Sequence, residues 1–246
     1  MTDNYTLPFI KSDILNSDIW NLNDAGILKL IFKNLMKAEK YRKIHLNEDE
    51  KLKAVKSLSR KLNLTEKNLQ ILEKKDSGFQ IRFKNEAIIR EKTEILYRDF
   101  YLEKAEIYFK ENRYKFNKYI YSLIRNNDRN IIQELYYQVE SGESSINELA
   151  KKYSIGNEKL KKGIIGPVKE SDINPKILER LKSTDMDFIS EPFQIADTWY
   201  IIQKEGFIEA DFDKQIKNEI CAFLLEEDID LEYEVFTKKL NVNKEI

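Results

Sequence analysis

Residues Ser145–Val168 read SINELAKKYSIGNEKLKKGIIGPV. The stretch opens on S-x-x-E, a capping box in which Ser145 and Glu148 each satisfy the other's backbone N–H, so a helix starts here. Ile146, Leu149, Ala150 and Tyr153 recur at helical spacing and form its inner face. A lysine-rich loop follows, and Gly163-Ile164-Ile165-Gly166 then reads as a short buried strand. Four of the seven glycines lie between Gly142 and Gly166, and three of the four prolines between Pro167 and Pro192. A chain otherwise poor in turn residues therefore changes direction mostly in this region.

Working outward, Tyr119–Ile124 is short, aromatic and aliphatic, as a strand should be. Asp128 caps a helix with Ile131, Ile132, Leu135 and Val139 inward, closed by Gly142. Downstream, Asn174-Pro175 supplies an N-cap and an N1 proline for a helix bearing Ile177, Leu178 and Leu181. Ile189–Gln194 and Trp199–Lys204 are two further strands, joined by Ala196-Asp197-Thr198. The order from Tyr119 to Lys204 is β-α-α-β-α-β-β, a compact α+β domain.

Both flanks are helical. Residues 27–72 lack glycine and proline, with stripes at Ile27, Leu30, Ile31, Leu35 and Met36 and at Leu52, Val55, Leu58 and Leu62. Thr65 caps a short helix with Leu69 and Leu72, ended at Asp76-Ser77-Gly78. A longer helix from about Asn85 to Lys110 buries Ile88, Ile95, Leu96 and Phe100, and a helical pattern resumes from Asp211 to about Leu240. Glu226–Glu234 holds six acids and no base, either a solvated face or a partner for the lysine-rich N-terminal helices. The expected organisation is an N-terminal helical domain (1–116), an inserted α+β domain (117–207) and a C-terminal helix (208–246) that packs back on the first.

A formal charge of −1 over 246 residues argues against a generally nucleic-acid-binding surface, which needs a basic face. Cys221 is the only cysteine, so no intrachain disulfide forms. The stretch MTDNYTLPFIKSD is unlike a secretory signal, and no run approaches the roughly 18 apolar residues of a membrane span. The expectation is a soluble cytoplasmic protein with no membrane span, its oligomeric state unspecified. His45 is the only histidine, set near a helix C-terminus, so no His/Cys zinc set forms and no metal or cofactor is expected.

The segment Tyr119–Lys204 resembles a parvulin-type peptidyl-prolyl cis-trans isomerase domain. The matching pieces are YIYSLIR, INELAKKYSIGNEKLKKGIIGPV and ISEPFQIADTWYIIQKE, with Ala150, Tyr153, Ser154, Gly163, Gly166, Ser190, Pro192, Phe193, Ile201 and Ile202 at motif positions. The helical flanks, with IYFKENRYKFNKY ahead of the first strand, resemble those of SurA- and PrsA-like foldases. The resemblance implies a parvulin-like domain in an all-α body, acting on unfolded or proline-containing polypeptide. It places Ile165, Ile173, Ile177 and Phe193 on the proline pocket, and the polar active-site positions at Ser122, Tyr200 and Gly156. Active members usually carry histidine at the first two and an acid or thiol at the third. The resemblance therefore implies an isomerase whose activity is weak or lost, with two hydroxyls where imidazoles would stand. A non-catalytic adaptor that binds a peptide or partner is the alternative, and a fully active isomerase using Ser122 and Tyr200 a third. Without the resemblance, Ser122 and Tyr200 read equally well as packing residues, Gly156 as a turn, and the four apolar residues as core.

Overall fold

The computed structural model describes residue 21 and residues 26–242, with side chains through residue 238; the N-terminal stretch MTDNYTLPFIKSD lies outside them. The chain divides into two compact units, one drawing on the chain up to Ile107 and from Lys217 onward, the other Tyr108–Ile216.

The first unit begins with α1 (Leu28–Arg42), α2 (Glu48–Lys61), α3 (Glu66–Lys75) and α4 (Phe79–Leu96). Asn47 and Glu50 form a capping box that starts α2, and Thr65 caps α3. Ala54 and Leu58 of α2 pack with Phe83 and Ala87 of α4, with Leu64, Leu69 and Phe79 around them. A π-helical turn, Tyr97–Tyr101, joins α4 to α5 (Leu102–Asn112). This turn shifts the helix face. Regular spacing from Leu96 puts Phe100 inward, but a π turn spends five residues where four are usual. Phe100 is 64% exposed, while Tyr101 (3%), Ala105 and Phe109 are buried.

The second unit contains β1 (Lys118–Asn126), α6 (Arg129–Glu140), α7 (Ile146–Tyr153), β2 (Ile164–Lys169), α8 (Pro175–Ser183), β3 (Phe193–Ile195) and β4 (Thr198–Ile208). All its strand pairings are antiparallel, in the order β2-β1-β4-β3. Side chains alternate across the sheet, so each face has its own core. On one face Tyr119, Tyr121, Leu123 and Ile202 pack with Ile173, Ile177, Leu181 and Phe193. On the other, Ile124 and Ile201 pack with Ile132 and Leu135 of α6 and Ile146, Leu149 and Ala150 of α7. Ahead of β1, Phe109 packs on Phe116 and Phe212, which draws the ends of the flanking helices into this unit.

Two strand expectations are corrected. The Gly163–Gly166 segment leads into an edge strand, and Ile164 is 44% exposed because β2 has a neighbour on one side only. The strand expected over Ile189–Gln194 shrinks to β3. Ile189 makes a lone bridge to Gln203, and Ser190 pairs with Ile202 through backbone and hydroxyl, so Pro192, which has no N–H to give, falls outside the ladder.

The chain returns to the first unit through α9 (Lys214–Val242). Phe32 of α1 stacks on Phe236 and meets Tyr233 edge-on. This contact selects the buried face of α1: Leu28 and Phe32 are covered, while Ile27, Leu30 and Ile31 are exposed. The acidic stretch is met by lysines of α1. Lys29 and Lys33 reach Asp230 at 2.8 Å, Lys33 and Lys37 pair with Glu226, and Lys40 reaches Glu232 at 3.0 Å. Partly exposed pairs are individually weak, and their value here is to fix which helix faces which.

Gly163 shows why the glycines gather where they do. Its φ is +83°, and a Cβ there would lie 2.7 Å from the Ala150 Cβ and 2.8 Å from the Leu123 carbonyl oxygen. Gly142 has φ +74° with open space around it. Gly163→Ala is expected to cost about 2–4 kcal/mol in urea unfolding, combining left-handed strain with overpacking, against about 1 kcal/mol for Gly142→Ala.

Candidate functional site

Ser122 and Tyr200 do not meet. Ser122 is fully buried on the α7 side of the sheet, where its hydroxyl accepts a hydrogen bond from Asn147 Nδ2 at 2.8 Å. The same amide reaches the Lys162 carbonyl at 3.0 Å, so Ser122 helps hold α7 and the loop after it. Tyr200 packs on the opposite face, with Leu123, Ile173, Ile177, Phe193 and Ile202. The physical reason is period-two alternation: a residue next to Leu123 in β1 cannot share its face.

The β1 residues on the Tyr200 face include Tyr119, Tyr121, Leu123 and Arg125. Arg125 stands directly across from Tyr200 in the ladder, with Leu123 opposite Ile202 one row along. Directly opposed residues in an antiparallel pair interact most strongly. The polar partner of Tyr200 in β1 is thus a guanidinium.

Gly156 belongs to the same place. A Cβ on it would lie 2.0 Å from Arg125 Nη2, 2.2 Å from Arg125 Nε and 2.2 Å from Glu158 Oε2. Its φ is an ordinary −102°, so what a side chain here would meet is the ends of two side chains, which would have to move aside. The volume of any side chain at this position is filled by Arg125 and Glu158.

The pair is firmly held. Arg125 Nε donates to Glu158 Oε1 at 3.1 Å, and the Glu158 side chain is only 5% exposed, against 38% for Arg125. The Ser154 hydroxyl donates to the same carboxylate oxygen and accepts from the Arg125 N–H at 3.2 Å. The N–H of Ile155 donates to the Arg125 carbonyl at 3.0 Å. Burial works against charge on Glu158, but the bonds from Ser154, its own backbone and Arg125 prevail, holding its carboxyl below the usual carboxylate range. Burial likewise opposes the Arg125 charge, and Glu158 with the Tyr200 hydroxyl outweighs it.

The apolar candidates do gather. Ile173, Ile177 and Phe193 are buried members of one cluster, with Ile165 and Tyr200 packed against it. Phe193 stacks on Tyr200 at 5.7 Å and lies beneath the Arg180 guanidinium at 5.6 Å. The site is therefore a largely buried apolar floor, Ile173, Ile177 and Phe193 being no more than 9% exposed, with a hydroxyl and a guanidinium beside it. Burial pushes the Tyr121 phenol above its ordinary value. No group of three or more His, Cys, Asp or Glu placed to hold a metal occurs among the described residues. His45 lies exposed between α1 and α2, and Cys221 is buried in α9.

Arg125 and Glu158 are absent from the reading of the sequence alone. The signal for Arg125 was available: in YIYSLIR, counting by two from either apolar face residue Tyr121 or Leu123 reaches it. Glu158 carried none, since one acid among lysines looks like a solvated loop.

Residues 121–206 match the family model described as the rotamase, PPIC-type PPIase domain. No curated protein matches the chain. Among solved structures, the chain is similar to the peptidylprolyl isomerase PrsA of Bacillus anthracis, with 21% identity, 86% of this chain and 93% of that chain covered, and a TM-score of 0.41. It is similar to the foldase PrsA of Streptococcus pneumoniae, with 13% identity, 92% and 88% covered, and a TM-score of 0.40. It is also similar to a SurA-like chaperone of Campylobacter jejuni, with 17% identity, 87% and 91% covered, and a TM-score of 0.37.

Glu158 links the site to pH. Its folded pKa lies below the ordinary value of 4.5, so its contribution is complete above that value and disappears as pH falls through the folded pKa. The urea midpoint of the parent chain is expected to drop more steeply between about pH 5 and pH 3 than that of Glu158→Gln. Parallel curves would remove Glu158 from the linkage.

Proposed function

From residues 121–206 being a PPIC-type peptidyl-prolyl isomerase domain, we propose that the chain is a foldase that binds proline-containing segments of unfolded polypeptide and isomerises them weakly. The observation that carries this reading is the convergence of Phe193, Ile173 and Ile177 with Tyr200 on one sheet face. Isomerisation of an X-Pro bond requires no nucleophile, acid or metal. It requires a dry surface that grips the pyrrolidine ring and donors that favour the twisted amide over the planar one. The apolar floor supports the first requirement, and the Tyr200 hydroxyl contributes to the second.

Weak catalysis is expected because the single histidine, His45, belongs to the other unit. Neither Ser122 nor Gly156 supplies a group: Ser122 is turned to the opposite core, and Gly156 has no side chain. Burial of Ile173, Ile177 and Phe193 in the present packing favours a second reading, a non-catalytic adaptor that binds one peptide shallowly.

A protease-coupled assay with an X-Pro peptide at high concentration of the full chain separates the two. A modest acceleration over buffer is expected, reduced about tenfold in Tyr200→Phe, the scale of one lost hydrogen bond. Ser122→Ala is expected to leave the rate unchanged while lowering stability. No acceleration, with tight binding of a single peptide, would replace the foldase reading with the adaptor.

A further inference from the structure

Resting on the isomerase reading above, we propose that Arg125 is a catalytic residue, its guanidinium donating a hydrogen bond to the reacting prolyl amide as that amide twists. The chemistry sets the requirement. In the planar amide the nitrogen lone pair is delocalised into the carbonyl, so the nitrogen is a poor acceptor. Rotation about the C–N bond breaks that delocalisation and returns the pair to nitrogen. A donor aimed at that nitrogen is thus engaged in the transition state and idle in the ground state, the condition for lowering a barrier. No bond to the enzyme forms and no proton is transferred.

Arg125 meets this requirement on several independent grounds. It stands opposite Tyr200 on the face that carries the apolar floor. Its guanidinium fills the volume above Gly156, the position at which the sequence resemblance places the third polar active-site group. Glu158, braced by Ser154, takes the Nε–H and fixes the plane. A guanidinium has five N–H donors, so its terminal amino groups have capacity beyond that bond. The side chain is 38% exposed, where Glu158 is almost fully covered, so an incoming peptide reaches the arginine and not its counter-ion. Glu158 also neutralises the charge, which makes Arg125 a directional donor in place of a general trap for anions.

Gly156 thereby gains a function. A side chain there would push the guanidinium aside, so glycine leaves the donor where it is. Glu158 acts through Arg125 and is a positioning residue.

The test compares the parent chain with Arg125→Lys, Arg125→Ala and Gly156→Ala, measuring kcat/KM for cis-to-trans conversion of an X-Pro peptide and, separately, its Kd by fluorescence. Lysine keeps the charge and loses the planar fork, and Gly156→Ala displaces the guanidinium without removing it. All three are expected to lose about 10- to 100-fold in kcat/KM, with Kd within about twofold of the parent. The inference is overturned if the parent accelerates isomerisation and Arg125→Lys matches it. It is equally overturned if Kd weakens in step with kcat/KM, since Arg125 would then only bind substrate. A parent chain that gives no acceleration removes the isomerase reading, and this inference with it.

Discussion

The central position of β1 constrains everything else in the smaller unit. Flanked by β2 and β4, it has no free edge, and its side chains alternate between the faces that carry the two cores. Tyr121, Leu123 and Arg125 serve one face, and Ser122 and Ile124 the other. A one-residue shift would exchange the two sets and put Arg125 into the α6–α7 core, where a charge has no partner. Register is therefore strongly enforced, and the site's composition follows from it.

Space beside one element is filled by a charged side chain from another. Gly156 lies after α7 and Arg125 in β1, far apart in sequence, yet the empty volume of one is filled by the head group of the other. Glu158 then makes that arginine tolerable in a half-buried setting, and Ser154 holds the carboxylate. The cluster is a single device. Removing one partner leaves a charge without its counterpart, which costs more than the pair gains.

The helical unit shows the same dependence on partners. The apolar stripe of α1 offers several faces, and Phe236 with Tyr233 on α9 chooses the one bearing Phe32. Lysines then fall opposite Glu226, Asp230 and Glu232, giving the acidic run a specific counterpart. The π turn at Tyr97–Tyr101 brings Tyr101 inward, where it bonds Asp228 and is pushed above the usual phenol range chiefly by burial. Nothing in the local spacing of YRDFY distinguishes four residues per turn from five.

Most elements of the smaller unit, though not the extents of β2 and β3, were legible in the sequence. The caps at Asp128, Ser145 and Asn174 and the glycine at 163 act over a few residues, and local hydrogen bonds and backbone sterics are written in local sequence. The family resemblance grouped Ile165, Ile173, Ile177 and Phe193, and the fold adds Tyr200 to that cluster. Only the tertiary structure decided which face each strand residue serves and which helix covers which stripe. Those choices rest on pairings between distant segments, as Ser122 with Asn147, Arg125 with Gly156 and Phe32 with Phe236. A short run such as YIYSLIR is apolar on both faces, so its pattern does not declare an inside, and the neighbours that do lie elsewhere in the chain.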